Sequence, residues 1–422
     1  MKNIASSKKL LFKNTIMLYV LIFSGYFFNL ITVPYQTRIL GPELYGMIGF
    51  IQAIYAYVQL VLDFGFLLSA TLDVANNRGN KQALSKIMTS VMICKLLLGV
   101  ICFLGVEILC SKLGRIDQYH TVYYLFFVVA FANTLLPDYL YRGMENMTSI
   151  TARTVLIRLF FTICIFLFLK NKDDVCVIPL LNAIGAFGAC IWSYYDLHKR
   201  LEIKFVKVSI QDVFNAMKNS SSYFFSRIAT TVYSASNSLI LGLIYPTGGT
   251  LGYYTSADKL MSTAKTAVSP IADSLYPYMV RNKDYKLVKK ILVICMPIIV
   301  LLCIIVAIYA KPICTFLFGR EFAETGTVLK LLLPIAVMIL PSYIMGFPVL
   351  SPLGLGKYAN TSVIIGAVIH AMQLSILYLV GTLDIYSICI ATCITEFIIL
   401  AIRIYIVVKK GRKIEREDVQ TA

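Results

Sequence analysis

The residues best suited to chemistry in this sequence lie on one stretch, from Tyr253 to Arg281. The stretch is long and apolar enough to cross a bilayer. Its interior nevertheless carries two acidic and two basic side chains: Asp258, Lys259, Lys265 and Asp273. At about 100° per residue, one helical face gathers Thr255, Asp258, Ser262, Lys265, Ser269 and Asp273. A charge in hydrocarbon costs about 2.5 kcal/mol or more, so this polar face is expected to meet a wet cavity or a partner.

The composition places this stretch in a polytopic membrane protein. Hydrophobic residues make up 58% of the 422 residues, and charged residues only 14%. Apolar runs of about 20 residues, the length that spans a bilayer, recur along the chain. The formal net charge of +17 is explained by basic loops that stay in the cytoplasm, so we expect no nucleic-acid partner.

The apolar runs predict twelve transmembrane helices. Their spans are 12–33, 44–70, 87–110, 121–141, 154–169, 175–195, 222–245, 250–280, 291–310, 328–350, 360–380 and 385–408. Lys and Arg are roughly three times as frequent in one set of loops as in the other, which predicts that both termini are cytoplasmic. We therefore expect a six-helix lobe at 1–196, a cytoplasmic linker at 197–221, a second six-helix lobe at 222–408 and a basic cytoplasmic tail at 409–422.

The two predicted lobes share an internal repeat. Aligning Gly46 with Gly252 places the second helix on the eighth, and the second helix then carries a matching polar face that ends at Asp63. Residues 143–148 likewise resemble residues 356–361, which pairs the fifth helix with the eleventh. Parallel repeats of this kind are common in transporters, with the substrate site between the halves. The structural alternative is that the small and polar residues only hold helices together.

Several motifs, in order and spacing, resemble the polysaccharide transporter family, which comprises the Wzx-type flippases of the multidrug/oligosaccharidyl-lipid/polysaccharide superfamily. The opening motif is residues 33–46 (VPYQTRILGPELYG). The most specific block is residues 251–259 (LGYYTSADK) followed by residues 275–278 (LYPY). The remaining matches are residues 63–66, 136–145, 318–322 and 329–332. One departure is Tyr139, where many relatives carry tryptophan.

This resemblance implies a fold and a function. The fold would be all-α, with two six-helix lobes like those of the multidrug and toxin extrusion transporters. The function would be translocation of an undecaprenyl-diphosphate-linked oligosaccharide, an O-antigen or capsule repeat unit, from the inner to the outer leaflet of the bacterial cytoplasmic membrane. The partners would be the lipid-linked glycan, the lipid bilayer and a coupling ion, proton or sodium. A polysaccharide polymerase and chain-length proteins are candidate protein partners.

Cationic and aromatic side chains are the candidates for holding such a headgroup, because Lys and Arg suit phosphate and tyrosine rings can stack on sugars. The predicted diphosphate and sugar ligands are Lys265, Lys259, Arg227, Arg38, Lys95, Tyr253 and Tyr254. Most have a structural alternative. Arg38 could anchor a helix end, Arg227 could reach the cytoplasmic interface, Lys95 could pair with Asp63, and Lys259 lies slightly off the polar face.

Transport also needs an energy source, and the sequence has no Walker motif. Carboxylates within membrane helices are the usual handles for protons or sodium, which makes Asp258, Asp273, Asp63 and Glu396 the ion-coupling candidates. Arg403 lies on the same helical face as Glu396 and is expected to be able to neutralise its charge. No spacing of Cys and His would hold zinc, so we expect no cofactor, no metal and no catalytic activity.

Three other functions compete with the flippase. A small-molecule or drug antiporter of the same superfamily would favour an acidic, aromatic cavity, whereas this polar face is balanced or basic. A membrane glycan polymerase or ligase generally needs a sizeable external loop, and the longest one predicted here is residues 311–327. A flippase for lipid-linked peptidoglycan precursor should have two additional helices.

Overall fold

The computed structural model describes residues 2–112, 119–245 and 248–411, and these residues are almost entirely helical. The last eleven residues of the predicted basic tail lie outside this described part. The helices are α1 (Lys2–Asp63), α2 (Phe66–Asn76), α3 (Lys81–Lys112), α4 (His120–Leu135), α5 (Asp138–Gly143), α6 (Met147–Phe168), α7 (Val177–Lys199), α8 (Ile210–Ile244), α9 (Thr250–Asn282), α10 (Tyr285–Phe318), α11 (Thr325–Met345), α12 (Phe347–Leu350), α13 (Lys357–Val380) and α14 (Ile385–Ile406).

The described helices provide the twelve membrane crossings expected from the sequence. Helix α1 contains two of them, because Gly41 interrupts it with φ 71° and ψ 175°, a conformation that favours glycine. The short helices α5 and α12 continue the crossings made by α4 and α11. Helices α8 and α9 are long enough to cross but too polar to count among the nine apolar spans found in the described residues. Their polar faces therefore need protein or water around them.

Helix α8 begins at Ile210, twelve residues before the predicted span at 222. Ser209 and Asp212 explain the early start, because the two residues cap the helix reciprocally: the Asp212 carboxylate accepts from the Ser209 backbone N–H at 3.0 Å, and the Ser209 hydroxyl accepts from the Asp212 N–H at 3.2 Å. Lys86 pairs with Asp212 at 2.9 Å. Together with the hydrogen bonds from Ser209, this ion pair lowers the pKa of Asp212 to about 2. The predicted linker is thus helical over its second half.

Helix α10 runs eight residues past the predicted end at 310. Tyr309 departs from helical geometry with φ −100° and ψ 16°, three residues before Pro312, whose ring and missing N–H disrupt the preceding turn. The helix then resumes to Phe318, which is buried. The end of this kinked helix therefore replaces the first part of the predicted external loop, residues 311–318.

The chain forms two compact units. One comprises Met1–Leu40 and Ile51–Thr231, and the other comprises Gly41–Phe50 and Val232–Ala422. In the first unit, α7 packs against α4 and α6. Arg153 is buried there and holds three helices together, because its guanidinium donates to Ser193 on α7 and to Asp138 on α5, each at 2.6 Å. A buried charge is tolerated in a membrane protein when such partners surround it.

In the second unit, α11 is the central helix and packs against α9, α10 and α14. The apolar core beside it is formed by Leu275, Met279, Val288, Leu340, Ile344 and Val349. Arg403 on α14 is also buried and donates to Ser342 on α11 and to Ser362 on α13, each at 2.9 Å. This second buried guanidinium ties three helices together, as Arg153 does in the first unit.

The two glycines equated by the internal repeat lie in direct contact within the second unit. A Cβ added to Gly46 would lie 2.6 Å from the backbone nitrogen of Gly252, and one added to Gly252 would lie 2.0 Å from the carbonyl oxygen of Pro42. One turn further along, a Cβ on Gly49 would lie 2.4 Å from Thr255 Oγ1. Small residues permit this close approach of helix backbones.

Candidate functional site

The polar face predicted on α9 is divided between two environments. Lys265 lies at its edge and points into the second unit, on the same side as the buried residues Met261 and Ala272. Asp258 and Asp273 are exposed, and Lys259 is half-buried. The helix therefore packs with one edge of its polar face turned inward, instead of turning all of that face outward.

Proline residues shape the part of α9 that follows Lys265. Pro270 cannot donate to the carbonyl of Thr266, and the Ser269 hydroxyl donates to that carbonyl at 3.2 Å instead. Pro277 likewise deprives the carbonyl of Asp273 of its usual helical donor. The carbonyl of Asp273 is thus an acceptor that an ordinary helix would satisfy internally.

The central ion pair of the second unit joins Lys265 to Glu396 on α14. Their Nζ and Oε1 atoms are 2.8 Å apart, and the two side chains are 31% and 15% exposed. Lys265 is therefore the direct partner of Glu396. Arg403, the predicted neutralising residue, directs its guanidinium to Ser342, Ser362 and two backbone carbonyls on α11 and α13.

The two predicted tyrosines have different surroundings. Tyr254 is buried, and its hydroxyl accepts from the Asn237 amide at 2.8 Å. Its ring is thus packed inside the unit, where it is not available to stack on a sugar. Tyr253 is half-buried, with its ring against Phe322 at 6.2 Å between centroids.

A buried hydrogen-bond network surrounds His370 on α13. Its Nε2 lies 2.8 Å from Asn237 Oδ1, and its Nδ1 lies 3.1 Å from Thr395 Oγ1. The Asn237 amide nitrogen donates to Tyr254 and to Thr392. Because both amide hydrogens are used there, Asn237 Oδ1 must accept, and His370 Nε2 carries a proton. The network joins α8, α9, α13 and α14 in one rigid centre.

In the first unit, the predicted charged residues also pair locally. Arg227 lies 3.6 Å from Asp63, and Gln59 donates to the same carboxylate at 3.1 Å. The alternative that Lys95 pairs with Asp63 is wrong. Lys95 Nζ donates to the carbonyls of Thr134 and Leu136.

The remaining predicted cation of this unit, Arg38, is exposed near the end of the first segment of α1. Lys95, by contrast, is 5% exposed and lies over the ring of Tyr139 at 5.1 Å. Its three donors are thus directed at acceptors within the unit, and a phosphate would have to displace them.

Each unit contains a cavity whose wall includes charged side chains. The one in the first unit is about 160 Å³, and Gln59, Asp63, Lys95, Asp138 and Tyr139 contribute to its wall. The one in the second unit is larger, about 500 Å³, and lies where α9, α14 and the junction of α11 with α12 meet. Its lining is Ser269, Ala272, Asp273, Tyr276, Tyr343, Gly346, Phe347, Pro348 and Arg403. No group of three His, Cys, Asp or Glu side chains within the described residues is arranged to hold a metal ion.

Comparison with known proteins gives the family of the chain. The family described as polysaccharide biosynthesis protein matches residues 11–283. This chain belongs to that family. Among curated relatives of this polysaccharide biosynthesis protein, one of Shigella dysenteriae, named as an O-antigen transporter, is 27% identical over 367 residues, covering 85% of this chain and 91% of its own. A second, of Escherichia coli K12 and named in the same way, is 26% identical and covers 82% of this chain and 84% of its own.

Two solved structures have the same fold as this family member. An inward-facing multidrug resistance MATE transporter of the MOP superfamily aligns with a TM-score of 0.68 at 13% identity, covering 94% of this chain and 96% of its own. The lipid II flippase MurJ in an inward closed conformation aligns with a TM-score of 0.67 at 14% identity, covering 96% of this chain and 90% of its own. The expected fold class and the family resemblance are thereby confirmed, and the chain is an integral membrane protein of this fold.

Sequence reasoning missed the His370 network. Its members are up to 155 residues apart, although His370, Thr392 and Thr395 are polar residues in the middle of apolar helices. The same signal marks Arg153 and Arg403. Polar residues at membrane depth need partners. A search of the sequence for every such residue would have indicated these centres, but it would not have identified which residues pair with each other.

Proposed function

We propose that this protein is a flippase that moves a polyprenyl-diphosphate-linked oligosaccharide, an O-antigen or capsule repeat unit, from the inner to the outer leaflet of the bacterial cytoplasmic membrane. The observation that carries the proposal is the polar helix α9, which places Lys265 at membrane depth opposite Glu396. The names of the two curated relatives support a substrate connected with O-antigen. Both termini are cytoplasmic in this proposal, with the glycan polymerase acting on the opposite side.

The diphosphate needs a replacement for the water that it loses on entering the bilayer. Lys265 can provide a point charge and up to three hydrogen-bond donors. Its side chain is 31% exposed, so an anion can approach the ammonium. Lys259 is a further proposed contact in the same unit, and its side chain is half-buried.

The ion pair also suggests how transport is coupled to a proton gradient. A diphosphate that binds Lys265 competes with Glu396 for the same ammonium. Glu396, only 15% exposed, then loses its countercharge, and an unpaired carboxylate in a poorly hydrated site favours its protonated form. Substrate binding at Lys265 and proton binding at Glu396 are thus linked. Asp258 is a second proposed ion-coupling carboxylate, because it is exposed two turns before Lys265.

The test uses inside-out membrane vesicles, where the native lipid-linked repeat unit is added to the outer, cytoplasmic-equivalent face. Translocation is measured as protection of its diphosphate from an added pyrophosphatase. We expect protection with the wild type and its loss in Lys265→Gln, whereas Lys330→Gln, a matched change at an exposed lysine on α11, retains it. Absence of protection in the wild type would refute the flippase. Full protection with Lys265→Gln would refute the role of this lysine.

The coupling is tested in the same vesicles with a protonophore. Collapse of the proton gradient should change the rate of translocation by the wild type, and Glu396→Gln should be insensitive to the protonophore because its side chain carries no titrating proton. If a sodium gradient supports translocation by the wild type in the absence of a proton gradient, the coupling ion is sodium instead.

A further inference from the structure

We infer that the 500 Å³ cavity at the end of α9 is a subsite for the glycan of the transported lipid, with Asp273 and Phe347 as its principal contacts. This inference rests on the proposed flippase function and specifies where the sugars beyond the first one bind. It also changes the role of Asp273, which the sequence assigned to ion coupling.

The lining has the chemistry that a sugar ring requires. Tyr276 and Phe347 have ring centroids 6.2 Å apart with an angle of 65° between their planes, so they form two sides of an apolar corner. The two residues are 40% and 46% exposed, so a ligand can reach them. The C–H face of a pyranose is apolar and packs on such rings, because the contact removes apolar surface of both partners from water.

The same cavity offers acceptors for sugar hydroxyl groups. The Asp273 carboxylate is exposed on the wall and, within the described part of the chain, makes no ion pair. The backbone carbonyl of Asp273 also lacks its helical donor because position 277 is proline. Hydroxyl groups that donate to a carboxylate form the stronger, charge-assisted class of hydrogen bond.

The charge balance favours a neutral hydroxylated ligand over an organic cation. Asp273 and aromatic rings alone would also suit a cation. However, the guanidinium of Arg403 forms part of the same wall, where its Nη1 already donates to Ser342. The positive charge of Arg403 offsets the negative charge of Asp273. The cavity therefore offers little net electrostatic attraction to a cation.

The position of the cavity agrees with the proposed site for the diphosphate. Asp273 follows Lys265 by eight residues on α9, which is about 12 Å along a helix axis. This spacing exceeds one pyranose ring, so a headgroup with its diphosphate at Lys265 would extend its second sugar into the cavity. A volume of about 500 Å³ is within the usual range for small-molecule sites and accommodates more than one ring.

The experiment compares two probes in proteoliposomes containing the full chain. One is the native lipid-linked repeat unit extracted from host membranes, and the other is the same lipid trimmed by glycosidases to its first sugar. Translocation is measured by protection of the diphosphate, as above. Asp273→Asn and Phe347→Leu are the test variants. Asp173→Asn, at an exposed loop carboxylate, and Phe316→Leu, at an exposed ring on α10, are their matched controls.

We expect Asp273→Asn to lower the apparent affinity for the full repeat unit about tenfold, as for loss of one charge-assisted hydrogen bond, and to leave the single-sugar probe unchanged. Phe347→Leu should act in the same direction, and both controls should behave as the wild type. Equal losses for both probes would overturn the subsite and return Asp273 to ion coupling. Unchanged affinity for both probes would overturn the subsite and leave the flippase intact. If the wild type moved neither probe, the proposed function itself would fail and the subsite with it.

Discussion

Replacing Gly252 by alanine should destabilise the second unit more than any comparable change at a helical glycine of this chain. The added Cβ would lie 2.0 Å from the carbonyl oxygen of Pro42, 2.7 Å from its carbonyl carbon and 2.8 Å from its Cα. All three atoms belong to backbone, which cannot rotate away as a flexible side chain can. The helices must therefore separate.

The size of the effect follows from this overlap. An ordinary contact between these atoms is about 3.5 Å, so the backbone of α9 must move by more than 1 Å from that of α1. Overpacking of this kind costs about 1–3 kcal/mol. We place Gly252→Ala at the upper end of this range, about 3 kcal/mol, because no neighbouring side chain can give way. For a unit of this size, that corresponds to a fall in Tm of about 6–12 °C.

The assay is thermal unfolding of the purified protein in detergent, with Gly188→Ala as the matched control. Gly188 lies within helix α7, and no atom lies within 4 Å of an added Cβ there. Alanine should therefore raise stability at that position by about 0.5–1 kcal/mol, because glycine loses more conformational freedom on folding. The double variant Gly46→Ala/Gly252→Ala should cost less than the sum of its parts, since one displacement of the helices accommodates both methyl groups.

The outcome that refutes this reasoning is a Tm for Gly252→Ala equal to or above that of the wild type, as expected for Gly188→Ala. Such a result would mean that the two backbones are not in contact in the folded protein. The pairing of repeat-related glycines would then lose its physical support.

The remaining predictions concern the buried polar centres of the second unit. Arg403→Met should lower stability by about 2 kcal/mol, because four hydrogen bonds at about 0.6 kcal/mol each are lost; a Tm equal to that of the wild type would contradict it. His370→Phe should lower the Tm further than His370→Gln, since phenylalanine leaves the buried Asn237 oxygen without its donor. Equal Tm values for the two His370 variants would show that the network contributes nothing to stability.

The sequence predicted the crossings well because hydropathy measures a local property, the transfer of about 20 residues into hydrocarbon. It also identified Gly46 and Gly252 as equivalent, since both stand in similar local motifs. It placed the start of α8 too late, because residues 210–221 are amphipathic and lie outside the apolar span. The signal for the true start is the capping pair Ser209 and Asp212.

The partners of the charged residues could not be predicted in the same way. Lys265 and Glu396 are 131 residues apart, and their pairing depends on how α9 and α14 pack. The helical wheel of α9 placed Lys265 on a single polar face with Asp258 and Asp273. Packing against α11 and α14 divides that face, because the buried side of a helix is chosen by its neighbours as well as by its own polarity.

The polarity of α9 has a consequence for biosynthesis of the protein. With four charged side chains in its interior, at about 2.5 kcal/mol or more each, α9 cannot partition from the translocon into lipid alone. The next helix, α10, is the most apolar span of the described chain and follows after only Lys283 and Asp284. The Asp284 carboxylate caps α10 by accepting from the Leu287 N–H at 3.0 Å. The two helices are therefore built to enter the membrane as one hairpin, and a nascent chain that ends at Asn282 should leave α9 outside the bilayer.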